Sequence, residues 1–283
     1  MDATTWTPVL RHGSLILKDE TRNPAHSFKL RGLVGVAISD PGSLSHGIVT
    51  VSTGNTGIAA AVTAAALGVP CEVWLVGEPD AAKLRHLASL GVRLRVSSRP
   101  FSETAKLASR AARNTGRFFI APGATDAYID ALKPLFVELQ TQVVDFKRLY
   151  VPCGGGGLLT AAVRALSGTT VADIIGVQAW SSRPVFDLYH HTTGPSPTKA
   201  PYATSLSGDL EDDAAIRRSL GAVSRMILVT RADLRLARRE LLRSTGINAD
   251  PGGVAGVAAA FKEARPGPAV AIITGRSSSA GLR

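Results

Sequence analysis

Pro152-Cys153-Gly154-Gly155-Gly156-Gly157-Leu158 is the stretch that decides the fold. It stands between an apolar run predicted to be a strand, Leu149–Pro152, and a run predicted to be a helix, Leu158–Leu166. Four glycines let successive backbone N–H groups turn toward one ligand, and the helix start adds the positive end of its dipole. The stretch lacks the Lys-Ser/Thr of a P-loop and the GxGxxG spacing of a dinucleotide fold. The pattern predicts a phosphate-binding turn between strand and helix, with a plain glycine-rich turn as the alternative.

The same alternation of short β-rich runs and Ala-rich periodic runs extends through most of the chain. Upstream of the glycines, four predicted strands enclose three predicted helices. The strands are Gly47–Val51, Val69–Val76, Val92–Val96 and Phe118–Ala121, and the helices are Gly57–Leu67, Ala81–Leu90 and Phe101–Asn114. Because parallel neighbours need crossover connections, this order predicts a parallel sheet covered by helices.

A second series of elements follows residue 125. A long amphipathic helix is predicted over Tyr128–Phe146, with a kink at Pro134. The later elements are predicted as strands Val171–Val177 and Ala269–Ile273 and helices Ala232–Ser244 and Val254–Ala264. Ser181–Asp213 gives no clear period and is predicted to be an irregular segment beside the active site, with a mobile segment as the alternative. The predicted fold class is α/β, with two αβα lobes of mainly parallel sheets and the site between them. Residues 41–124 form the smaller, mobile lobe, and residues 1–40 with 125–283 form the larger one.

Composition and charge exclude several classes of protein. The 283 residues include 32 basic and 22 acidic side chains, a net charge of +10, and 24 of the basic residues are arginines. The charges are scattered, without the block of about five or six like charges typical of a nucleic-acid-binding arm. Cys71 and Cys153 lack CxxC spacing, which argues against a disulfide framework or a cysteine-based zinc site. With no signal-peptide pattern and no apolar run of about 18 residues, we expect a cytoplasmic protein that binds neither nucleic acid nor membrane.

Two further stretches contain residues suited to chemistry. Ser52-Thr53-Gly54-Asn55-Thr56-Gly57 lies between a predicted strand and a predicted helix, and its hydroxyls, amide and glycines suit a carboxylate; an ordinary N-cap loop is the alternative. Ser27-Phe28-Lys29-Leu30-Arg31-Gly32 starts a helix after Asn23-Pro24. A lysine between apolar neighbours loses its proton more readily and can act as a nucleophile, although for Lys29 alone a solvated helix lysine is the simpler interpretation.

In this order the three stretches resemble motifs of the tryptophan-synthase β-like family, the fold-type II pyridoxal-phosphate enzymes. His26-Ser27-Phe28-Lys29-Leu30-Arg31-Gly32 is most similar to the cofactor-lysine segment of threonine dehydratases. Ser52 to Gly57 resembles the loop for the substrate carboxylate, and Pro152 to Leu158 resembles the phosphate loop. Asp250-Pro251-Gly252-Gly253 resembles a late Glu-Pro-Ser-Gly stretch, and Ile273-Thr274-Gly275 resembles the closing Thr-Gly. The resemblance covers almost the whole chain.

The resemblance implies the cofactor pyridoxal 5′-phosphate and a role for each matching residue. Lys29 would hold the cofactor as a Schiff base, release it to the amino acid substrate, and then act as the base at the α-carbon of that substrate. The phosphate would be bound by Gly154, Gly155, Gly156 and Gly157, and the ring hydroxyl would be contacted by Asn55. The substrate carboxylate would be bound by Ser52, Thr53, Gly54, Asn55 and Thr56. The pyridine nitrogen would face the hydroxyl of Thr274, or that of Ser277 or Ser278 in its place.

The reaction that the resemblance implies is β-elimination from a hydroxy amino acid, serine or threonine, to a 2-oxo acid and ammonia. The Lys29 segment favours this lyase, whereas Gly54-Asn55-Thr56 and Thr274-Gly275 are more similar to threonine synthases and cysteine synthases. A pyridoxal-phosphate-dependent synthase is therefore the alternative, and an inactive member that serves as a binding subunit is a second one. Thr53 stands where serine racemases have a serine, which disfavours racemisation. Gln178-Ala179-Trp180 lacks the acidic ligands of a divalent cation. We therefore expect no metal, and we expect a homodimer.

Overall fold

A computed structural model describes residues 6–52, 54–77, 81–170, 173–192, 202–207, 210 and 213–276 of the chain. The strands in this part of the chain are β1 (Val9–His12), β2 (Leu15–Asp19), β3 (Ile48–Val51), β4 (Cys71–Val76), β5 (Arg93–Ser97), β6 (Phe118–Ile120), β7 (Arg148–Pro152), β8 (Asp173–Ala179), β9 (Arg225–Val229) and β10 (Ala269–Ile273). The α-helices are α1 (Lys29–Ser39), α2 (Asn55–Leu67), α3 (Ala81–Ser89), α4 (Phe101–Asn114), α5 (Asp126–Asp130), α6 (Lys133–Gln142), α7 (Gly157–Leu166), α8 (Pro184–Tyr189), α9 (Asp213–Leu220), α10 (Arg231–Thr245) and α11 (Ala255–Glu263).

The strands form two separate sheets. The larger sheet has the order β1-β2-β10-β7-β8-β9, and its neighbouring strands are parallel except for the pair β1 and β2. The smaller sheet has the order β5-β4-β3-β6 and is parallel throughout. The predicted α/β class with mainly parallel sheets is therefore confirmed. The four strands of the smaller sheet lie between residues 48 and 120. The lobe boundaries at residues 41 and 124 remain a prediction.

Both sheets are covered by helices on their two faces. β2, β3 and β10 are buried along their whole length, as is typical of parallel strands inside an α/β protein. Successive side chains of a strand point to opposite faces, so β10 contributes Val270 and Ile272 to one core cluster and Ala271 and Ile273 to another. In the smaller sheet, α2 and α4 both pack against β3. The central strands are thus rigidly enclosed, and their carboxyl ends can position a site.

Two sequence predictions differ from the structure. The single helix predicted over Tyr128–Phe146 is wrong, because the chain forms α5 and then α6 with a break between them. Pro134 lies in the first turn of α6, where the missing N–H of proline needs no partner, so it starts a helix rather than kinking one. The segment predicted to be irregular contains α8 and a short 3₁₀ turn, Thr204–Leu206, and parts of it lie outside the described residues. In the described ranges, no helix has both the length and the apolar composition that a membrane span requires.

Candidate active site

A cavity of about 250 Å³ opens where strands of both sheets end. Ser52 follows β3, Pro152 ends β7 and Thr274 follows β10, and all three residues line the cavity. Ligands of open α/β sheets bind outside the carboxyl ends of the strands, because the loops that leave the sheet converge there. This cavity is therefore the candidate active site.

Lys29 lines this cavity as the first residue of α1. Its ammonium nitrogen lies 4.7 Å from the centre of the Phe28 ring, a cation–π contact that keeps the side chain beside an apolar surface. The Tyr128 hydroxyl donates a hydrogen bond to the Lys29 carbonyl oxygen at 2.9 Å. This contact ties the start of α1 to α5, so the position of the lysine is set by tertiary packing.

The turn before Lys29 is held by the buried side chain of Asn23. Its Oδ1 accepts hydrogen bonds from the backbone N–H groups of Ala25 and Ser27, both at 3.1 Å. Its Nδ2 donates to the carbonyl oxygens of Glu20 at 3.0 Å and Ser27 at 2.7 Å. The side-chain amide of Asn23 thus supplies hydrogen-bond partners to backbone N–H and carbonyl groups of the turn. From the sequence, Asn23-Pro24 indicates only a helix start; an asparagine before a helix is the signal that could have indicated this role.

A buried cluster of charges fixes α1 two residues beyond Lys29. Arg31 Nε donates to Glu20 at 2.6 Å, and Arg31 Nη1 donates to Glu138 at 2.7 Å. Lys18, from β2, forms an ion pair with the same Glu138. Burial lowers the pKa of Lys18. Burial by itself would raise the pKa of Glu138, but the hydrogen bonds that Glu138 accepts from Arg31 and Lys18 outweigh this effect, and its pKa is lowered. Because a buried charge without its partner is strongly unfavourable, the cluster locks α1 between β2 and α6.

The Gly154–Gly157 loop leaves β7, and its last residue begins α7. Gly156 has φ +96°, a conformation that favours glycine, and a Cβ there would lie 2.9 Å from Ile216 Cδ1. A Cβ on Gly157 would lie 2.0 Å from the carbonyl oxygen of Pro122. The loop therefore presents bare backbone to the cavity at the N-terminus of a helix, an arrangement that suits a phosphate group.

The opposite side of the cavity is formed by the loop that leads from β3 into α2. Ser52, Gly54, Asn55 and Thr56 line it, and the Gly54 N–H donates to Ser52 Oγ at 3.1 Å. Thr53, the fifth residue predicted to bind the substrate carboxylate, lies outside the described residues. α2 begins at Asn55, so its first N–H groups face the cavity together with the serine and threonine hydroxyls. An anionic group fits this side as well.

Asp250 is a buried carboxylate of the cavity, and no role for it was predicted from the sequence. Its Oδ2 accepts a hydrogen bond from Asn55 Nδ2 at 3.1 Å. Its Oδ1 accepts from Ser205 Oγ and from the Gly253 N–H, both at 2.7 Å. Ser205 belongs to the segment predicted to be irregular, of which Thr204, Ser205, Leu206 and Ser207 line the cavity. The one signal in the sequence was the Asp250-Pro251-Gly252-Gly253 stretch, which gave no partner for the carboxylate.

Thr274 lies between the lysine segment and the Asp250 turn. The Phe28 N–H donates to the Thr274 carbonyl oxygen at 3.0 Å, and the Thr274 N–H donates to the Gly253 carbonyl oxygen at 3.2 Å. The residue is 7% exposed and lines the cavity. Ser277 and Ser278, its two alternatives, lie outside the described residues.

The cysteines supply no nucleophile to this site. Burial raises the pKa of the Cys71 thiol and of the Cys153 thiol to about 12, so both are neutral at physiological pH. Cys153 lies immediately before the glycine loop but is buried behind it. In the part of the chain that the structure describes, no group of three or more His, Cys, Asp or Glu side chains is placed to hold a metal ion.

A lysine and a bare glycine loop at a helix start lie in one cavity at the ends of parallel strands, and this arrangement in an α/β protein fits a phosphorylated cofactor. The family model described as "Pyridoxal-phosphate dependent enzyme" (PALP) matches residues 2–275. The chain belongs to this family.

Relatives of known name are similar over different shares of the chain. The L-threonine ammonia-lyase of Geobacter sulfurreducens is 28% identical over 166 residues, which are 58% of this chain and 41% of that protein. The mitochondrial threonine dehydratase of Saccharomyces cerevisiae is 24% identical over 251 residues, 87% of this chain and 44% of that protein. The chain thus spans less than half the length of these curated relatives. The structure of maize serine racemase is similar in fold, with a TM-score of 0.83 at 23% identity, covering 96% of this chain and 88% of that one.

Proposed function

We propose that the protein is a pyridoxal-phosphate-dependent lyase that converts serine or threonine to a 2-oxo acid and ammonia. The observation that carries this proposal is that a single cavity of about 250 Å³ is lined by Lys29, by the Gly154–Gly157 loop and by Ser52, Gly54, Asn55 and Thr56. A space of this size suits a cofactor bonded to a small amino acid. The names of the relatives, threonine ammonia-lyase and threonine dehydratase, support the same substrate class.

The residues of the cavity fit the cofactor. Gly156 and Gly157 leave no room for side chains, so the backbone N–H groups of this loop can bind the phosphate. Lys29 would hold the cofactor covalently, Asn55 would contact its ring hydroxyl, and Thr274 would face its pyridine nitrogen. When bound, the cofactor supplies an electron sink that stabilises the negative charge left at the α-carbon after proton loss.

In the proposed reaction, the protein binds and orients the amino acid and moves its α-proton. Ser52, Thr53, Gly54, Asn55 and Thr56 would bind the substrate carboxylate, with the N-terminus of α2 adding its positive dipole end. Lys29 Nζ, freed from the cofactor when the substrate amino group takes its place, would take the proton as the Cα–H bond breaks. The Cβ–O bond would break with its electron pair on oxygen, which takes up a proton and leaves as water, and hydrolysis of the remaining C–N bond would give the 2-oxo acid and ammonia. Asp250 would orient the amide of Asn55 through the contact at 3.1 Å.

We propose further that residues 41–124 close over the bound amino acid, as the smaller lobe. The substrate would bridge this lobe and the one that contains Lys29, so it would add contacts that exist only in the closed form. Closure would also exclude water from the reacting α-carbon. The hinges are expected near Ser39–Gly42 and Pro122–Thr125. X-ray scattering with and without bound substrate analogue tests this, and an unchanged radius of gyration would mean that the lobe is closed beforehand.

The assembly and location of the enzyme are also proposals. We expect a cytoplasmic homodimer that binds neither nucleic acid nor membrane, and the two buried free thiols suit a reducing compartment. Light scattering checks the assembly, since the chain has a mass of 29.5 kDa and the dimer would have twice that mass.

The test of the proposed function is a turnover assay on the protein loaded with pyridoxal 5′-phosphate. We expect 2-oxo acid from L-serine or L-threonine, and a rate at least about 100-fold lower from the Lys29→Ala variant. Cofactor loading is followed separately by the visible absorption of the cofactor bonded to lysine. A loaded protein that forms no 2-oxo acid, yet exchanges the β- or γ-substituent of an activated amino acid, would instead be a synthase. A protein that binds no cofactor would be a binding subunit.

A further inference from the structure

A second cavity, of about 700 Å³, adjoins the candidate active site. Val51 and Phe101 line both cavities, so these two side chains lie at the boundary between the two spaces. One wall of the second cavity is a face of α4, and its floor is apolar, formed by Phe119, Ile120 and Leu210 among others. We refer to this space as the α4 cavity.

The α4 cavity is basic. Lys106, Arg110 and Arg113 line it, and spacings of four and three residues place them on one face of the helix. Arg113 Nη1 donates to Ser109 Oγ at 2.8 Å. Lys106 and Arg110 make no hydrogen bond or ion pair with the described residues, and no described acidic side chain lines the cavity. Its positive charge is therefore uncompensated within the described structure.

Among the described residues, arginines on and next to the strands of the smaller sheet form ion pairs, unlike the arginines of α4. Arg93, Arg95 and Arg117 all lie within ion-pair distance of Glu72, at 3.8, 2.7 and 3.6 Å. Arg93 and Arg95 of β5 and Arg117, just before β6, are thus paired with a carboxylate, whereas three cations of α4 lie beside an apolar floor. Such a space fits a ligand with an apolar stem and an anionic end, since the cations supply charge-assisted hydrogen bonds.

We propose that the α4 cavity binds the anionic end of a substrate side chain whose amino acid end occupies the active site. This inference rests on the proposed function and extends it: besides serine and threonine, the same site would accept α-amino acids whose long side chain ends in a carboxylate, phosphate or sulfate. A helix rises about 1.5 Å per residue, so Lys106 lies about 7.5 Å and Arg110 about 13.5 Å along α4 from Phe101. An extended side chain can therefore reach Lys106 first and Arg110 next.

The experiment compares two ligands that differ in a terminal carboxylate. O-Succinyl-L-homoserine and O-acetyl-L-homoserine are tested on the cofactor-loaded enzyme as competitive inhibitors of serine or threonine turnover, and their dissociation constants are measured by the change in cofactor absorption. We expect the succinyl compound to bind about tenfold more tightly, the size of one charge-assisted contact at an exposed site. The difference in affinity between the two compounds should decrease as salt is added.

Two variants test whether the preference for the succinyl compound depends on the cations of α4. A Lys106→Gln/Arg110→Gln double variant should lose the preference for the succinyl compound, with a ratio of dissociation constants near one. Arg99→Gln is the matched control, because Arg99 lies just before α4, pairs with Glu103 at 3.2 Å and does not line the cavity. It should keep the preference. Equal binding of the two compounds by the wild type, or a preference that survives the double variant, would overturn the inference.

Two further arms separate other occupants of the cavity. Free succinate and inorganic phosphate are added during turnover; if they bind at Lys106 and Arg110 without competing with the amino acid, the site takes a free anion and the inference is wrong. Leu210 is flanked in the sequence by Asp209, Glu211 and Asp212. If the preference appears only when these three are neutralised, the chain's own acidic segment is the occupant, and the inference is also wrong. Loss of the proposed function itself is distinguishable, since no amino acid would then change the cofactor spectrum.

Discussion

The Gly154–Gly157 loop and the Ser52–Gly57 loop face each other across the active site. Both connect a parallel strand to a helix, but their surroundings differ. Each leaves a central parallel strand, β7 or β3, and enters a helix, α7 or α2. In the Gly154–Gly157 loop, an added Cβ would lie 2.0 Å from the Pro122 carbonyl oxygen, whereas an added Cβ on Gly54 would meet nothing within 4 Å. The first loop is shaped by its neighbours before any ligand binds, and the second has room to adapt. A rigid first loop suits a cofactor that stays bound, and an adaptable second loop suits a substrate that binds and dissociates in every turnover.

The largest expected effect comes from Lys29, on the fixed side of the cavity. Lys29→Ala removes the base for the α-proton, and loss of a general base alone lowers turnover by about 100- to 10,000-fold. The fold should persist, because the charge cluster of Arg31, Glu20 and Glu138 still anchors α1. Circular dichroism and the unfolding midpoint check the fold, and the 2-oxo acid assay checks turnover. An active Lys29→Ala enzyme would show that another residue bonds to the cofactor.

The comparison of the loops is tested directly by a matched pair of glycine substitutions. Gly157→Ala must displace the Pro122 backbone, so we expect a loss of about 1–3 kcal/mol in the free energy of unfolding, together with weaker binding of pyridoxal 5′-phosphate. Gly54→Ala enters open space and should change both quantities by less than about 0.5 kcal/mol. Denaturant unfolding and cofactor titration measure the two effects. Equal losses in both variants would mean that the loops do not differ in rigidity.

The contact between the two sides of the cavity should have a smaller effect. Asp250→Asn replaces one carboxylate oxygen by an NH₂ group. The remaining oxygen can still accept from Ser205 and Gly253, but the NH₂ group cannot accept from Asn55. A lost hydrogen bond to a charged group corresponds to about 1.5 kcal/mol or more, so we expect kcat/KM to fall about tenfold. Ser205→Ala serves as the control, since it leaves the Asn55 contact in place and should retain more activity. If Ser205→Ala lost as much as Asp250→Asn, the contact to Asn55 would not matter.

The smallest expected effect is on the pH dependence of stability. The pKa of Glu138 is lowered in the folded protein from 4.5, so the unfolded chain binds more protons between the folded and unfolded pKa values. The stability from Glu138 is present above pH 4.5 and is lost as the pH falls through the folded pKa. Denaturant unfolding from pH 6 to about pH 3 should show a flatter pH dependence for Glu138→Gln, by at most about 1.4 kcal/mol per pH unit. If the free energy of unfolding changed with pH equally in the wild type and in Glu138→Gln, Glu138 would not contribute to the acid dependence of stability.

Local patterns in the sequence were sufficient for the elements that enclose the site. α4 was predicted with its observed bounds, Phe101–Asn114, and β10 with its bounds, Ala269–Ile273. Apolar periodicity, helix-ending glycines and strand-forming residues are properties of neighbouring residues, so they can be read without the fold. Pro134 misled the prediction because proline both breaks a helix interior and starts a helix, and only the packing of α5 and α6 decides which occurs.

By itself, the sequence determined the α/β class, the glycine loop and the lysine at a helix start, since each depends on a short run of residues. Only the tertiary structure decided which distant side chains meet. Asn55 and Asp250 are 195 residues apart, Ser205 and Asp250 are 45 apart, and the Arg31 cluster joins β2, α1 and α6. The α4 cavity likewise depends on Leu210 lying beside a helix of the smaller sheet. The physical reason is that such contacts are set by how the two sheets and their helices pack, and no local pattern in the chain records that packing.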